Sequence, residues 1–262
     1  MKKKVILLKN PSAPKDPYND QFESKTSYKP NFIPLLTHTH SPNKQTTQNF
    51  LISTFLEFSI FIITSQRAVE MLGECISDLK PNIKSKIFEK IGYTVGPATF
   101  KMLKDIGFQD VRGGIEAGNG LKLSEIIINE VSTTSKILFL TGEIRKDIIP
   151  KQLTQASFKN FKEYAMYKTE ERNDIVINFE NQIFESFGWI IFFSPQGTKD
   201  IIEYLKGSKS DILKNWKLAS IGPTTEEYLI NEHGLIPQVV AKKPDASNLI
   251  DGILMYDEEN SQ

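Results

Sequence analysis

Hydroxyl-bearing turns recur in this chain where apolar runs give way to helical patterns. Ser65 follows "FIIT", Ser194 follows "IIFF", and "VGPAT" (95–99) and "IGPTT" (221–225) each set Gly-Pro and hydroxyls ahead of a helical pattern. A Ser or Thr at such a point caps the first turn, whose remaining N–H groups favour an anion. Ordinary capping accounts for any one of these turns. Matched turns in both halves of the chain would offer two sets of amides to one ligand.

Other chemistry is sparse. "THTH" holds His38 and His40 in a polar stretch without Cys or acidic companions, which makes a weak metal site. Exposed loop histidines are the expectation there. Cys75 is the single cysteine, so no internal disulfide forms. It falls inside an amphipathic pattern, where a buried inert thiol is the default, and it fits a reducing cytoplasm. No histidine stands in an activating setting, so Ser65 and Ser194 are poor nucleophiles and hydrolysis is disfavoured. The remaining candidate acid is Tyr167, which ends an extended segment beside Thr169. On spacing alone it is equally an ordinary half-buried strand tyrosine. "GGIEAGNG" (113–120) lacks the Lys-Ser/Thr of a phosphate loop and is expected to be a flexible loop with no strand running directly into it. Neither Gly-Pro phrase carries a dinucleotide fingerprint, which disfavours a Rossmann oxidoreductase.

The elements that must position these residues alternate. "VILLKN", "SIFIIT", "KIGYTV", "KILFLTG", "WIIFFS", "KLASIG" and "LIPQVVA" read as strands. Between them lie "SQRAVEMLGECISDL", "PATFKMLKDIG", "LKLSEIIINEV", "EIRKDIIPKQL", "PQGTKDIIEYLKG", "PTTEEYLINEHG" and "DASNLIDGILMY", which read as helices. Such alternation implies a parallel, doubly wound α/β architecture. "THTHSPNKQTTQN" reads as a structureless linker or loop.

With 32 basic and 32 acidic residues the net charge is zero, so neither nucleic acid nor a membrane surface is an expected partner. The most apolar stretch, residues 50–64, carries Glu57 and is shorter than the roughly 18 apolar residues of a membrane span. It reads as a helix end entering a buried strand.

A repeat organises the chain. Ser65 and Ser194 lie 129 positions apart, Gly96 and Gly222 126, and Gly107 and Gly234 127. "VILLKN" (5–10) echoes "ILFLTG" (137–142) at an offset of 132, which also sets "FIPLLT" on the segment around "YAMYKT". Two copies of one α/β unit of roughly 130 residues are implied.

"FIITSQRAVEML", "YTVGPATFKML", "TGEIRKDIIPKQL", "YAMYKT", "WIIFFSPQGTKDIIEYL" and "ASIGPTTEEYL", in this order, resemble uroporphyrinogen-III synthase. "DPY" at Asp16 to Tyr18 and Ile33–Pro34 fit its N-terminal portion. The resemblance implies a cyclising lyase of haem biosynthesis, which closes the linear tetrapyrrole hydroxymethylbilane to uroporphyrinogen III. The last ring is inverted, a hydroxyl is lost, and no cofactor or metal takes part. It implies two similar doubly wound parallel-sheet lobes joined by a two-stranded linker, with a cleft between them. One lobe would comprise residues 1–36 and 171–262, and the other, inserted, residues 37–170.

Positions matching the family's cleft are Thr64, Ser65, Gly96, Ala98, Thr99, Thr141, Gly142, Ser194, Gly197, Gly222, Thr224 and Thr225, with Tyr167 as the acid. Backbone amides at helix starts would hold the substrate's carboxylates without a basic surface. Pro97 removes one such amide, and the polar segment 38–49 looks local to this chain. A cytoplasmic monomer is implied, with no nucleic-acid or membrane partner and room for transient contact with the preceding or following pathway enzyme. The alternative from another class is a non-catalytic two-lobed binder of small polyanions, which would have no need of Tyr167.

Overall fold

Runs of apolar residues with no polar interruption suit strands covered on both faces, and they form the centres of two sheets. A computed structural model of the chain describes residues 2–12, 15–207 and 212–260. The elements run β1 (Lys2–Leu8), α1 (Pro17–Lys25), β2 (Lys29–Phe32), β3 (Leu36–His40), α2 (Lys44–Ser53), a 3-10 turn at Phe55–Glu57, β4 (Ile60–Ile63), α3 (Gln66–Ser77), α4 (Pro81–Phe88), β5 (Ile91–Val95), α5 (Pro97–Ile106) and β6 (Val111–Gly114). They continue with α6 (Gly120–Glu130), β7 (Ile137–Gly142), α7 (Ile148–Gln155), β8 (Phe161–Glu171), α8 (Ile175–Ile183), β9 (Ser186–Phe192), α9 (Lys199–Lys206), α10 (Ile212–Asn215), β10 (Trp216–Ser220), α11 (Pro223–His233), β11 (Val239–Val240) and α12 (Ala246–Glu259). No described helix is long and apolar enough to cross a membrane.

The chain divides into two compact units, residues 1–37 with 171–262, and residues 38–170. The first holds a sheet of order β11-β10-β9-β1-β2, whose neighbours are all parallel. The second holds β3-β8-β7-β4-β5-β6, parallel from β8 to β6. β3 runs against β8: the Ser41 N–H donates to the Met166 carbonyl, while His38 bonds Thr169. Leaving β3 aside, the two orders correspond strand for strand, β9 with β4, β10 with β5, β11 with β6, β1 with β7 and β2 with β8. The sequence offsets reported this correspondence.

Both sheets are covered on both faces. In β4, Phe61 and Ile63 enter one core while Ile60 and Ile62 enter another. In β1, Ile6 and Leu8 face one core and Val5 and Leu7 the other. The helices meet these faces through their apolar stripes. α3 buries Ala68, Val69, Leu72, Cys75 and Ile76, the spacing of a single helix face.

Three expectations need correction. Residues 38–49 are not a structureless loop, because β3 and α2 occupy most of them. The Asn43 side chain accepts the Thr46 N–H to cap α2, which buries Thr47, Gln48 and Leu51. "GGIEAGNG" does have a strand running into it, since Gly113 and Gly114 end β6 and pair with Thr94 and Val95. Ser194 does not cap a helix. A turn closed by the Thr198 N–H and hydroxyl, both donating to the Pro195 carbonyl, delays α9 to Lys199.

Candidate functional site

Strands of a parallel sheet deliver their last residues to one edge, where the following helices begin. In the unit of residues 38–170, β4 is followed by Thr64 and Ser65, β5 ends at Val95, and β7 ends at Thr141 and Gly142. Around them lies a cavity of about 420 Å³. Its walls also include Gly118, Asn119 and Gly120 ahead of α6, Ile144, Arg145, Lys146, Ile148 and Ile149 around the start of α7, Phe139, and Tyr167 on β8.

Tyr167 is placed by its backbone and by its ring. A register shift between Thr141 and Gly142 pairs Thr141 with Ala165 but Gly142 with Tyr167. The Glu143 N–H then donates to the Tyr167 carbonyl at 2.9 Å. The ring lies against Gly142, where a Cβ would fall 2.7 Å from Tyr167 Cζ, so any larger residue would push the ring from its place. The phenol oxygen is 3.0 Å from Ser65 Oγ. That same Oγ accepts the Ala68 N–H at 3.4 Å as the cap of α3.

Two kinds of surface meet here. Ile144 is 83% exposed and Ile148 42%, giving an apolar rim. Arg145 donates to Glu163 and Asp147, so its charge is compensated, and the Glu163 bond holds its pKa above the ordinary value. Lys146 is exposed beside it, with no ion pair found among the described residues.

Thr64, Ser65, Thr141, Gly142 and Tyr167 are thus brought together. Gly96 precedes α5 and Ala98 and Thr99 lie in its first turn, and none of the three lines the cavity. The Gly96 N–H is already donated to the Gly114 and Ala117 carbonyls, so that amide is not open to an anion. In the unit of residues 1–37 and 171–262, Ser194 and Gly197 follow β9, and Gly222, Thr224 and Thr225 begin α11 after β10. The Gly197 N–H is held by the Glu171 carboxylate at 3.1 Å. Ser194 and Thr224 are exposed, whereas Thr225 is buried.

Sequence reasoning missed Arg145, Lys146, Asn119 and the isoleucine rim. Asn119 had a signal, an Asn ahead of a helical pattern, and its side chain does accept the Lys122 N–H. Ile144, Arg145 and Lys146 lie in the β7–α7 loop and Ile148 begins α7, within a phrase read only as a helix.

The histidines are not loop residues. His38 and His40 lie half-buried on β3. His40 Nε2 is 2.8 Å from the Glu74 carboxylate, and Nδ1 lies 3.9 Å from Cys75 Sγ. Burial pushes the Cys75 thiol up to about 11, as expected of an inert thiol. No group of His, Cys, Asp or Glu able to hold a metal is found among the described residues.

Residues 16–251 match the family model described as uroporphyrinogen-III synthase HemD. The chain is 41% identical over 271 residues to uroporphyrinogen-III synthase of Saccharomyces cerevisiae, with 97% of each chain covered. It is 33% identical over 269 residues to that of Schizosaccharomyces pombe, with 99% of each covered. In fold it is similar to uroporphyrinogen-III synthetase from Helicobacter pylori 26695, at a TM-score of 0.58, with 20% identity and 97% and 99% of the two chains covered. A family model that spans most of the chain, joined by full-length relatives, means that the chain belongs to the uroporphyrinogen-III synthase family.

Proposed function

We propose that this chain closes hydroxymethylbilane to uroporphyrinogen III with inversion of the last ring and release of water, and that Tyr167 assists the departure of the hydroxyl. The observation that carries the role of Tyr167 is its phenol, bonded to a helix-capping serine at the wall of a cavity. When Ser65 donates its hydroxyl hydrogen to the phenol oxygen, the phenol hydrogen is left to point at substrate. A proton passed to the leaving hydroxyl releases water, and Ser65 then stabilises the phenolate. The electrons for breaking the C–O bond come from the pyrrole, which keeps its N–H and becomes an azafulvenium cation whose charge balances the phenolate. The protein's larger task is to hold that reactive carbon against the correct ring.

The cavity suits part of such a substrate. Its isoleucines offer a surface for a pyrrole ring, while Lys146 and the amides ahead of α6 and α7 offer partners for carboxylates. In this proposal the turns carrying Ser194, Gly222, Thr224 and Thr225, with Ala98 and Thr99, bind further carboxylates, while the Gly197 amide is already taken by Glu171. The chain acts as a cytoplasmic monomer, with brief contact to neighbouring pathway enzymes. An unpaired, buried Cys75 accords with a reducing compartment.

The test is the isomer formed. Purified protein given hydroxymethylbilane should yield the type III macrocycle, resolved chromatographically from the type I product that forms without enzyme. Type I alone would leave the polyanion-binding alternative standing.

A further inference from the structure

β3 carries a histidine into the surroundings of Tyr167. The His38 and Tyr167 rings meet edge to face, with centroids 5.6 Å apart and planes at 84°. His38 Nδ1 is 3.1 Å from Thr169 Oγ1, two residues beyond Tyr167 on β8. The imidazole is therefore tied to the same strand as the phenol and packed against its ring. Of the phenol's other neighbours, Ser65 holds the oxygen and Gly142 lies against the ring. Neither of these offers ring-to-ring contact.

We infer that His38 is a positioning residue, holding the Tyr167 ring in the orientation that presents its phenol beside Ser65. This rests on the catalytic reading of Tyr167 given above. His38 acts through Tyr167 and is not among the residues that line the cavity.

The surroundings keep the imidazole neutral. From α3, Arg67 and Glu70 face it, joined to each other at 2.7 Å. From β8 it meets Thr169 and Tyr167, and on its own strand stands His40 with its Glu74 partner. Burial lowers the His38 pKa, Arg67 lowers it further, and Glu70 opposes both. The proton therefore binds at lower pH than on a free imidazole. Once bound, it makes Nδ1 a donor to the Thr169 hydroxyl oxygen and sets a second cation beside Arg67. Repulsion from Arg67 loosens the ring contact, so turnover should fall as the pH drops and His38 takes up its proton.

The experiment compares wild type with His38→Ala and His38→Phe, reading kcat and KM against pH, with tyrosines labelled by carbon-13 in the ring. The Tyr167 signal is identified by its absence from Tyr167→Phe. His38→Ala should lower kcat roughly three- to tenfold, the range an edge-to-face ring pair accounts for, with KM changed less than about twofold. His38→Phe keeps a ring without a titrating group, so it should restore most of kcat and lack the acid limb. In wild type the Tyr167 signal should shift with pH in step with the His38 ring protons. An unchanged kcat in His38→Ala, or a His38→Phe as slow as His38→Ala, overturns the inference. So does a Tyr167 signal indifferent to His38 titration. If no type III product forms while the Tyr167 signal still follows the His38 ring protons, the catalytic reading of Tyr167 fails and the contact between the rings stands.

Discussion

Tyr167 is held on three sides, by Ser65 at the oxygen, Gly142 beneath the ring and His38 at its flank. A side chain used only for packing would not need its oxygen on a cap residue whose first duty is to α3. Removing that oxygen while keeping the ring isolates the chemical role. Tyr167→Phe leaves the Gly142 and His38 contacts in place and frees the Ser65 hydroxyl. Because a free phenol, with a pKa of about 10, is a modest acid, the loss of kcat should be roughly ten- to a hundredfold rather than total. KM should change little, since the ring still fills its place. The measurement is initial rate of type III formation across substrate concentrations, and activity within a few-fold of wild type would remove the acid role.

Among the elements, the corner formed by β5, β6 and the start of α6 decides where Gly118, Asn119 and Gly120 can stand. Gly113 is its tightest point, with φ of 83° and an imagined Cβ only 2.3 Å from the Thr94 carbonyl oxygen. Gly113→Ala must move β6 away from β5 or strain the backbone, at a cost of about 1–3 kcal/mol. A urea midpoint lowered to match would show it, and a midpoint equal to wild type would count against this corner as a rigid support.

This corner also explains why part of the site was hard to see in the sequence. β6 reads "VRGG", with no alternation and no aromatic residue, because its partner needs bare backbone there. α2 was hidden for a different reason. Its buried face includes Thr47 and Gln48, and Gln48 donates to the Cys75 carbonyl. A polar residue made suitable for burial by a tertiary hydrogen bond has no local signature. The strands of continuous Ile, Leu and Phe were legible because burial on both faces leaves no other composition. Ser65 and Tyr167 were legible as residues, but the 3.0 Å bond between them depends on a register shift that no spacing reports.

At the scale of the whole molecule, the connectivity makes the two units unequal as folding problems. Residues 38–170 are continuous and hold β4, β5, β6 and β7, nearly all of β8 and most of β3. Both cores covering that sheet consist of residues from this same segment. The other unit is split, and its sheet sets β1 between β9 and β2, so the C-terminal part lacks a central partner without the first 37 residues. Val5, Ile6, Leu7 and Leu8 are essentially unexposed and supply both cores of that unit. A fragment of residues 38–170 should therefore fold alone, with dispersed amide resonances and a cooperative urea transition. A fragment of residues 171–262 should not, because its exposed β9 edge would lack the paired strand that completes the sheet. Adding a peptide of residues 1–37 should restore dispersion to it. A C-terminal fragment that folds unaided would show that β1 is an accessory strand and that the unit is organised around β9 and β10 alone.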